Sequence, residues 1–156
     1  MTKIDAKGSV DIDYVGATRI TQEAANRGML SAMIEADALL VDKLSQPGQG
    51  AVYDRYFFTD ANGTVRPGKK RKKAHRASAP GDPPAVDTGN LRRNRATEVI
   101  SVGGGVSIGI LSVNSEYAEA LEFGTEKMAP RPFLGPIITE SAERLKEAFR
   151  RGAQIL

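Results

Sequence analysis

His75 and Ser78 are the one pair in this sequence that sets an imidazole close to a hydroxyl, the partnership a hydrolytic nucleophile needs. The run that carries them, KKRKKAHRASAPG, is basic and then rich in small residues and proline, and it supplies no acid to orient the base. A general base must be held within hydrogen-bond reach of its target, so His75 reads as a solvated loop residue rather than a catalyst. Glu116, Glu119 and Glu122 fall at i, i+3 and i+6 on a short helical stretch. A hard cation wants oxygens converging from several elements, so this row reads as a solvated helix face. Gly103-Gly104-Gly105 lacks the Gly-Lys-Ser/Thr ending of a phosphate loop and runs into a β pattern, which makes it a turn. With no cysteine and one histidine, disulfides, thiol catalysis and zinc centres are set aside. No residue is assigned to catalysis, a metal or a cofactor, and the chain is expected not to be an enzyme.

Charge gives the one strong signal. Residues 61–81 hold Arg66, Lys69, Lys70, Arg71, Lys72, Lys73 and Arg76 and no acid. Of 22 bases and 19 acids overall, removing these seven leaves 15 bases, so the rest of the chain is formally −4. The basic character belongs to one segment of a mildly acidic body. Lys69, Lys70, Arg71, Lys72, Lys73 and Arg76 are candidate contacts to DNA phosphates or to an acidic partner. The nearest aromatics that might stack on bases, Tyr53, Tyr56, Phe57 and Phe58, lie upstream of the run, which favours non-specific duplex contact over base reading.

The elements that position this segment follow from periodicity. At 156 residues and 40% hydrophobic content the chain is expected to form one domain. Within it, 1–17 reads as an N-terminal segment and 51–90 as a hairpin arm with a basic, proline-rich loop. The start lacks the apolar stretch of a secretory signal, and no run approaches the roughly 20 apolar residues of a spanning helix, so cytoplasmic synthesis is expected. Ile20, Ala24, Leu30, Met33, Ile34, Val41 and Leu44 predict a helix over 18–45, capped by Thr18 or Thr21 and stopped by Pro47-Gly48. AVYDRYFF and TDANGT predict a hairpin turning at Asn62-Gly63. Residues 67–90 read as an extended loop, because Pro67, Pro80, Pro83 and Pro84 interrupt them without apolar periodicity. RATEVISV and VSIGILSV predict two antiparallel strands, with Ile100, Val102, Val106, Ile108 and Ile110 on one buried face. Asn114 or Ser115 should cap a short helix through EYAEALEF that ends at Gly124. Pro136 should open a second long helix, with Ile138, Ala142, Leu145 and Phe149 on one face, running to Gly152. The fold class is α+β, with two long helices packed on a small antiparallel sheet and a long arm.

Two motifs go further. SAPGDPPAVDTGNLR, from Ser78 to Arg92, is followed by Tyr117-Ala118, Leu121-Glu122-Phe123-Gly124-Thr125 and Ala129-Pro130-Arg131-Pro132-Phe133-Leu134. This ordered set, spanning roughly residues 18–150, resembles the gene-product-ten-like family of siphophage neck and tail-completion proteins. Many relatives carry Ser soon after the Leu-Arg, where this chain has Arg93-Asn94-Arg95. The resemblance implies a non-enzymatic virion protein whose copies, six expected, form a ring around the DNA channel at the head–tail junction. It also implies long loops exchanged between copies, and neighbours among the head-completion or stopper, tail-terminator and tail-tube proteins. Thr88, Gly89, Leu91, Arg92, Glu122, Phe123, Gly124, Thr125, Pro132 and Phe133 are the motif residues it marks for assembly. Read physically, Thr88-Gly89 is a turn launching a strand at Leu91, and Phe123 is a buried aromatic ahead of a helix terminator. Phe133, on a restrained link, can face its own core or a neighbour. The alternative function is a stand-alone, non-specific nucleic-acid-binding protein acting through residues 66–76.

Overall fold

The computed structural model describes residues 2–4, 10–13 and 22–154, the first two stretches as backbone. Helix α1 (Gln22–Lys43) ends ahead of Pro47-Gly48, where the Ser45 hydroxyl donates to the Val41 carbonyl at 2.6 Å. The capping residues expected for it, Thr18 and Thr21, and Ile20 lie outside the described residues. Its buried face is the expected one in part: Ala24, Met33 and Leu44 are buried. Leu30 and Ile34 are 54% and 64% exposed, while Ala24, Ala25, Gly28, Met29, Ala32, Met33, Ala36 and Leu40 face inward. Small residues win that face because another helix must come close. A side-chain carbon at Gly28 would sit 2.9 Å from the Phe149 ring, and one at Gly152 would sit 2.6 Å from the Arg27 carbonyl. Gly152 lies in the last turn of helix α5 (Ala142–Ala153), at its crossing with α1, one residue short of the helix end.

The fold is α+β. Strands β1 (Thr2–Ile4) and β2 (Val10–Asp13) join β6 (Val106–Val113) and β5 (Arg95–Gly103) in an antiparallel sheet ordered β1-β2-β6-β5. Helix α1 packs on β5 and β6, and α5 packs on α1. The Gly103–Gly105 turn and the β5–β6 hairpin form as expected, and Ile100 pairs directly with Ile108. The buried row of β6, however, is Ser107, Gly109, Leu111 and Val113. Ile108 and Ile110 alternate with that row and are only half-buried, while Ile100 and Val102 are exposed. Ser107 is accommodated inside because its hydroxyl donates to Asn26 Oδ1 at 2.6 Å, and the Gln22 amide donates to the Val106 carbonyl at 2.9 Å, tying the start of α1 to β6.

The expected second long helix is two: α4 (Gly135–Glu140) and α5, separated at Ser141. The break lets Ile137 enter the same core as Leu145 and Phe149, with Ile138 packed at its margin. Thr88-Gly89 leads into one helical turn, α2 (Asn90–Arg93), and the strand starts only at Arg95. Leu91 thereby turns into the core instead of lying along a sheet. Helix α3 (Ala118–Phe123) does end at Gly124, whose φ of 78° favours glycine, but Tyr117 stands at its N-cap rather than Asn114 or Ser115.

Candidate functional site: a basic ribbon pinned to the body

The basic run is not a loop. Val52–Thr59 (β3) and Val65–Arg76 (β4) form a separate two-stranded antiparallel sheet, turning where Asp60 Oδ1 accepts from the Asn62 and Thr64 amides. Pro67 fits because it lies in a two-stranded ribbon, where half of each strand's amides point to solvent. Extended backbone therefore continues through Arg76, and only residues 77–89 remain as the loop. Every residue of β3 is exposed, Tyr53, Tyr56, Phe57 and Phe58 included.

The two strands do not match residue for residue. Tyr53 pairs with His75 and Arg55 with Lys70, so Asp54 alone spans the length of Arg71, Lys72, Lys73 and Ala74. Between Arg55–Lys70 and Phe57–Pro67, Tyr56 spans Gly68 and Lys69. The cationic strand is the long, bulged side of the ribbon.

The cations divide into two sets. Arg66 pairs with Asp60 at 2.6 Å, and Arg76 donates to the Gly50 carbonyl at 3.3 Å. Arg71 forms a two-pronged pair with Asp87 (Nη2 to Oδ2 2.8 Å) and lies 4.2 Å from the centre of the Tyr56 ring. The Arg71 hydrogen bond, with the nearby His75 adding to it, holds the Asp87 carboxyl below the usual carboxylate range. Lys69, Lys70, Lys72 and Lys73 have no ion-pair partner among the described residues. Asp87 was invisible as a partner because it lies sixteen residues from Arg71 across a proline-rich turn.

The root of the ribbon is tied down. The Gly50 amide donates to the Ala77 carbonyl at 2.7 Å and the Ala77 amide to the Ala51 carbonyl at 2.9 Å. Beside it lies a groove of about 460 Å³ lined by His75, Ser78, Asp87, Thr88, Gly89, Leu91, Arg92 and Leu121 among others. The structure thus supplies an acid near His75 that the local sequence lacked. His75 Nδ1 is 3.9 Å from Asp87 Oδ1, beyond hydrogen-bond range, Arg71 occupies both carboxylate oxygens, and no hydrogen bond joins Ser78 to His75. Among the described residues no three acids or histidines form a group that could hold a metal, and no helix is long and apolar enough to cross a membrane.

The motif residues mostly build the scaffold around this groove. Arg92 donates to the Ser45 hydroxyl at 3.0 Å, at the end of α1. Glu122 is not on a solvated face. It is 5% exposed, and its carboxylate accepts from the amides of Phe133 (2.8 Å), Leu134 (3.0 Å) and Gly135 (2.7 Å). Its neighbour Phe123, expected inside, is 50% exposed. A carboxylate that meets three otherwise unpaired amides is well accommodated inside, which gives Glu122 the inward position on α3. Glu116 and Glu119 are exposed as expected. Thr125 and Met128 close a tight bridge after Gly124, with amide-to-carbonyl distances of 2.8 and 3.2 Å, and Pro132 leads the link into Phe133, which is fully buried. Phe133 thus faces its own core.

No family model, no curated protein and no solved structure matches this chain.

Proposed function

We propose that the chain is a structural virion protein of a long-tailed bacteriophage, forming a ring at the head–tail junction and acting through assembly rather than catalysis. The observation that carries this reading is the ribbon: among the described residues it forms a sheet of its own, and its eight-residue aromatic strand is exposed along its whole length. An isolated two-stranded ribbon is marginal in water, and clustered exposed aromatics mark an interaction surface. The resemblance of the ordered motifs to those of neck and tail-completion proteins supplies the setting: copies of this chain, six expected, with head-completion or stopper and tail-terminator or tail-tube proteins as neighbours. The bare rings of β3 meet a protein neighbour.

The test is electron microscopy of particles from a phage carrying an early stop codon in this gene. Separate DNA-filled heads and free tails, or tails of abnormal length, are the expected result. Intact virions would overturn the reading. They would leave the competing one, a stand-alone non-specific nucleic-acid-binding protein, which is favoured by the four unpartnered lysines of β4.

A further inference from the structure

We infer that the bulged strand of the ribbon is a contact for the backbone of duplex DNA, made by Lys69, Lys70, Lys72 and Lys73 and not by the arginines among them. The inference rests on the ribbon being an interaction element, as proposed above, and assigns its two strands to different partners. Among the described residues, four of the run's seven Lys and Arg side chains are left without an ion-pair or hydrogen-bond partner, and all four are exposed lysines within one bulged stretch. Arg66, Arg71 and Arg76 are occupied by Asp60, Asp87 and the Gly50 carbonyl. The forked, bidentate side chains that read guanine edges are thus used to fix the ribbon, while the compact point charges that suit phosphates face outward.

Three observations favour a duplex over the other anionic partners. Protein interfaces are depleted in lysine, because burying several ammonium groups costs their hydration, whereas a row of phosphates compensates each one and releases counterions. Single strands are gripped by stacking on open ring faces, and three of the four exposed β3 rings already make a contact within the ribbon. Tyr53 and Phe57 meet edge to face at 5.8 Å, and Tyr56 carries Arg71. A two-stranded antiparallel ribbon also fits the major groove of B-form DNA, whose walls are the phosphate rows the lysines would meet.

The test is fluorescence anisotropy of the purified full chain with a labelled random-sequence duplex, across a salt series. Four phosphate contacts predict a slope of about −3.6 in log affinity against log salt, or about a hundredfold weakening between 50 and 200 mM. Replacing Lys69, Lys70, Lys72 and Lys73 by Gln should abolish both binding and slope without altering the melting temperature. Arg66→Gln should leave the slope unchanged. The inference is overturned if the wild-type chain does not bind at the lowest salt, if the quadruple variant keeps its slope, or if a single strand of equal length binds more tightly. It is also overturned if polyglutamate displaces the duplex at equal charge concentration, which would point to an acidic protein surface. Light scattering after size exclusion follows assembly separately. A wild-type chain that binds duplex but stays monomeric at every concentration counts against the ring and not against the lysine contact.

Discussion

The ribbon and the link from Thr125 to Gly135 are both proline-interrupted and poor in periodic apolar residues, yet the protein treats them in opposite ways. The C-terminal end of the link is drawn inside. Glu122 takes three of its amides, and Phe133 and Leu134 are fully buried beneath α1 and α5. The bonds that hold the ribbon to the described body lie at its root and along Arg71–Asp87, and it leaves four aromatics and four lysines exposed. Residues that stabilise the fold and residues available to partners are therefore largely separate sets. Substitutions in the two regions should fail different assays.

The largest effect is expected from the link. Phe133→Ala should lower stability by about 3–5 kcal/mol, the usual cost of emptying a core aromatic site, read as the shift in a denaturant melt. A melt unchanged by that substitution would show Phe133 to be an intersubunit anchor. Glu122→Ala comes next, with a loss of roughly 3 kcal/mol from two buried amides and one part-buried amide deprived of their acceptor. Glu122→Gln should cost less, since one oxygen still accepts. Loosening the root is expected to sit between the two regions. Because Asp87 titrates below its ordinary 3.8, held there by the Arg71 hydrogen bond and then by His75, its contribution is complete above that value and is lost as pH falls through the folded-state pKa. Hydrogen-exchange protection at the Gly50 and Ala77 amides should hold above the ordinary carboxylate value and decline in acid below it, while amides of β6 stay protected. Asp87→Asn should loosen the same amides at neutral pH. The smallest stability effect belongs to the ribbon's outer surface. Tyr53→Ser, Phe57→Ser and Phe58→Ser together should move the melt by no more than about 0.5 kcal/mol per site, while removing the proposed ring in light scattering. Rings that persist would shift the protein-binding role to another surface.

Much of the architecture was legible because its signals are local. The end of α1 at Pro47-Gly48, the Asn62-Gly63 and Gly103–Gly105 turns and the stop at Gly124 each rest on a few adjacent residues. The faces were less legible, for one shared reason. Close packing of α1 against α5 and β6 places Ala, Gly and Ser on the buried rows, so the bulky residues that mark periodicity, Leu30, Ile34, Ile100 and Ile108, lie on the outer rows. The Glu122–Phe123 inversion has the same character: the inward position goes to the side chain that can satisfy the link's amides, a demand set eleven residues away. The basic run was legible as charge but not as strand, because its bulges break alternation. Its division into bound arginines and free lysines depends on Asp60, Asp87 and Gly50, which only folding brings near.

The mismatch between β3 and β4 also bears on crowding. A straight two-stranded ribbon presents an open edge on each side, and several held close together would tend to zip into a continuous sheet. Here the outer edge of β4 is twisted by its extra residues and studded with like charges, so neighbouring ribbons repel and cannot find a common register. The same irregularity that sets the lysines outward thus guards against fibrous stacking while the chain accumulates.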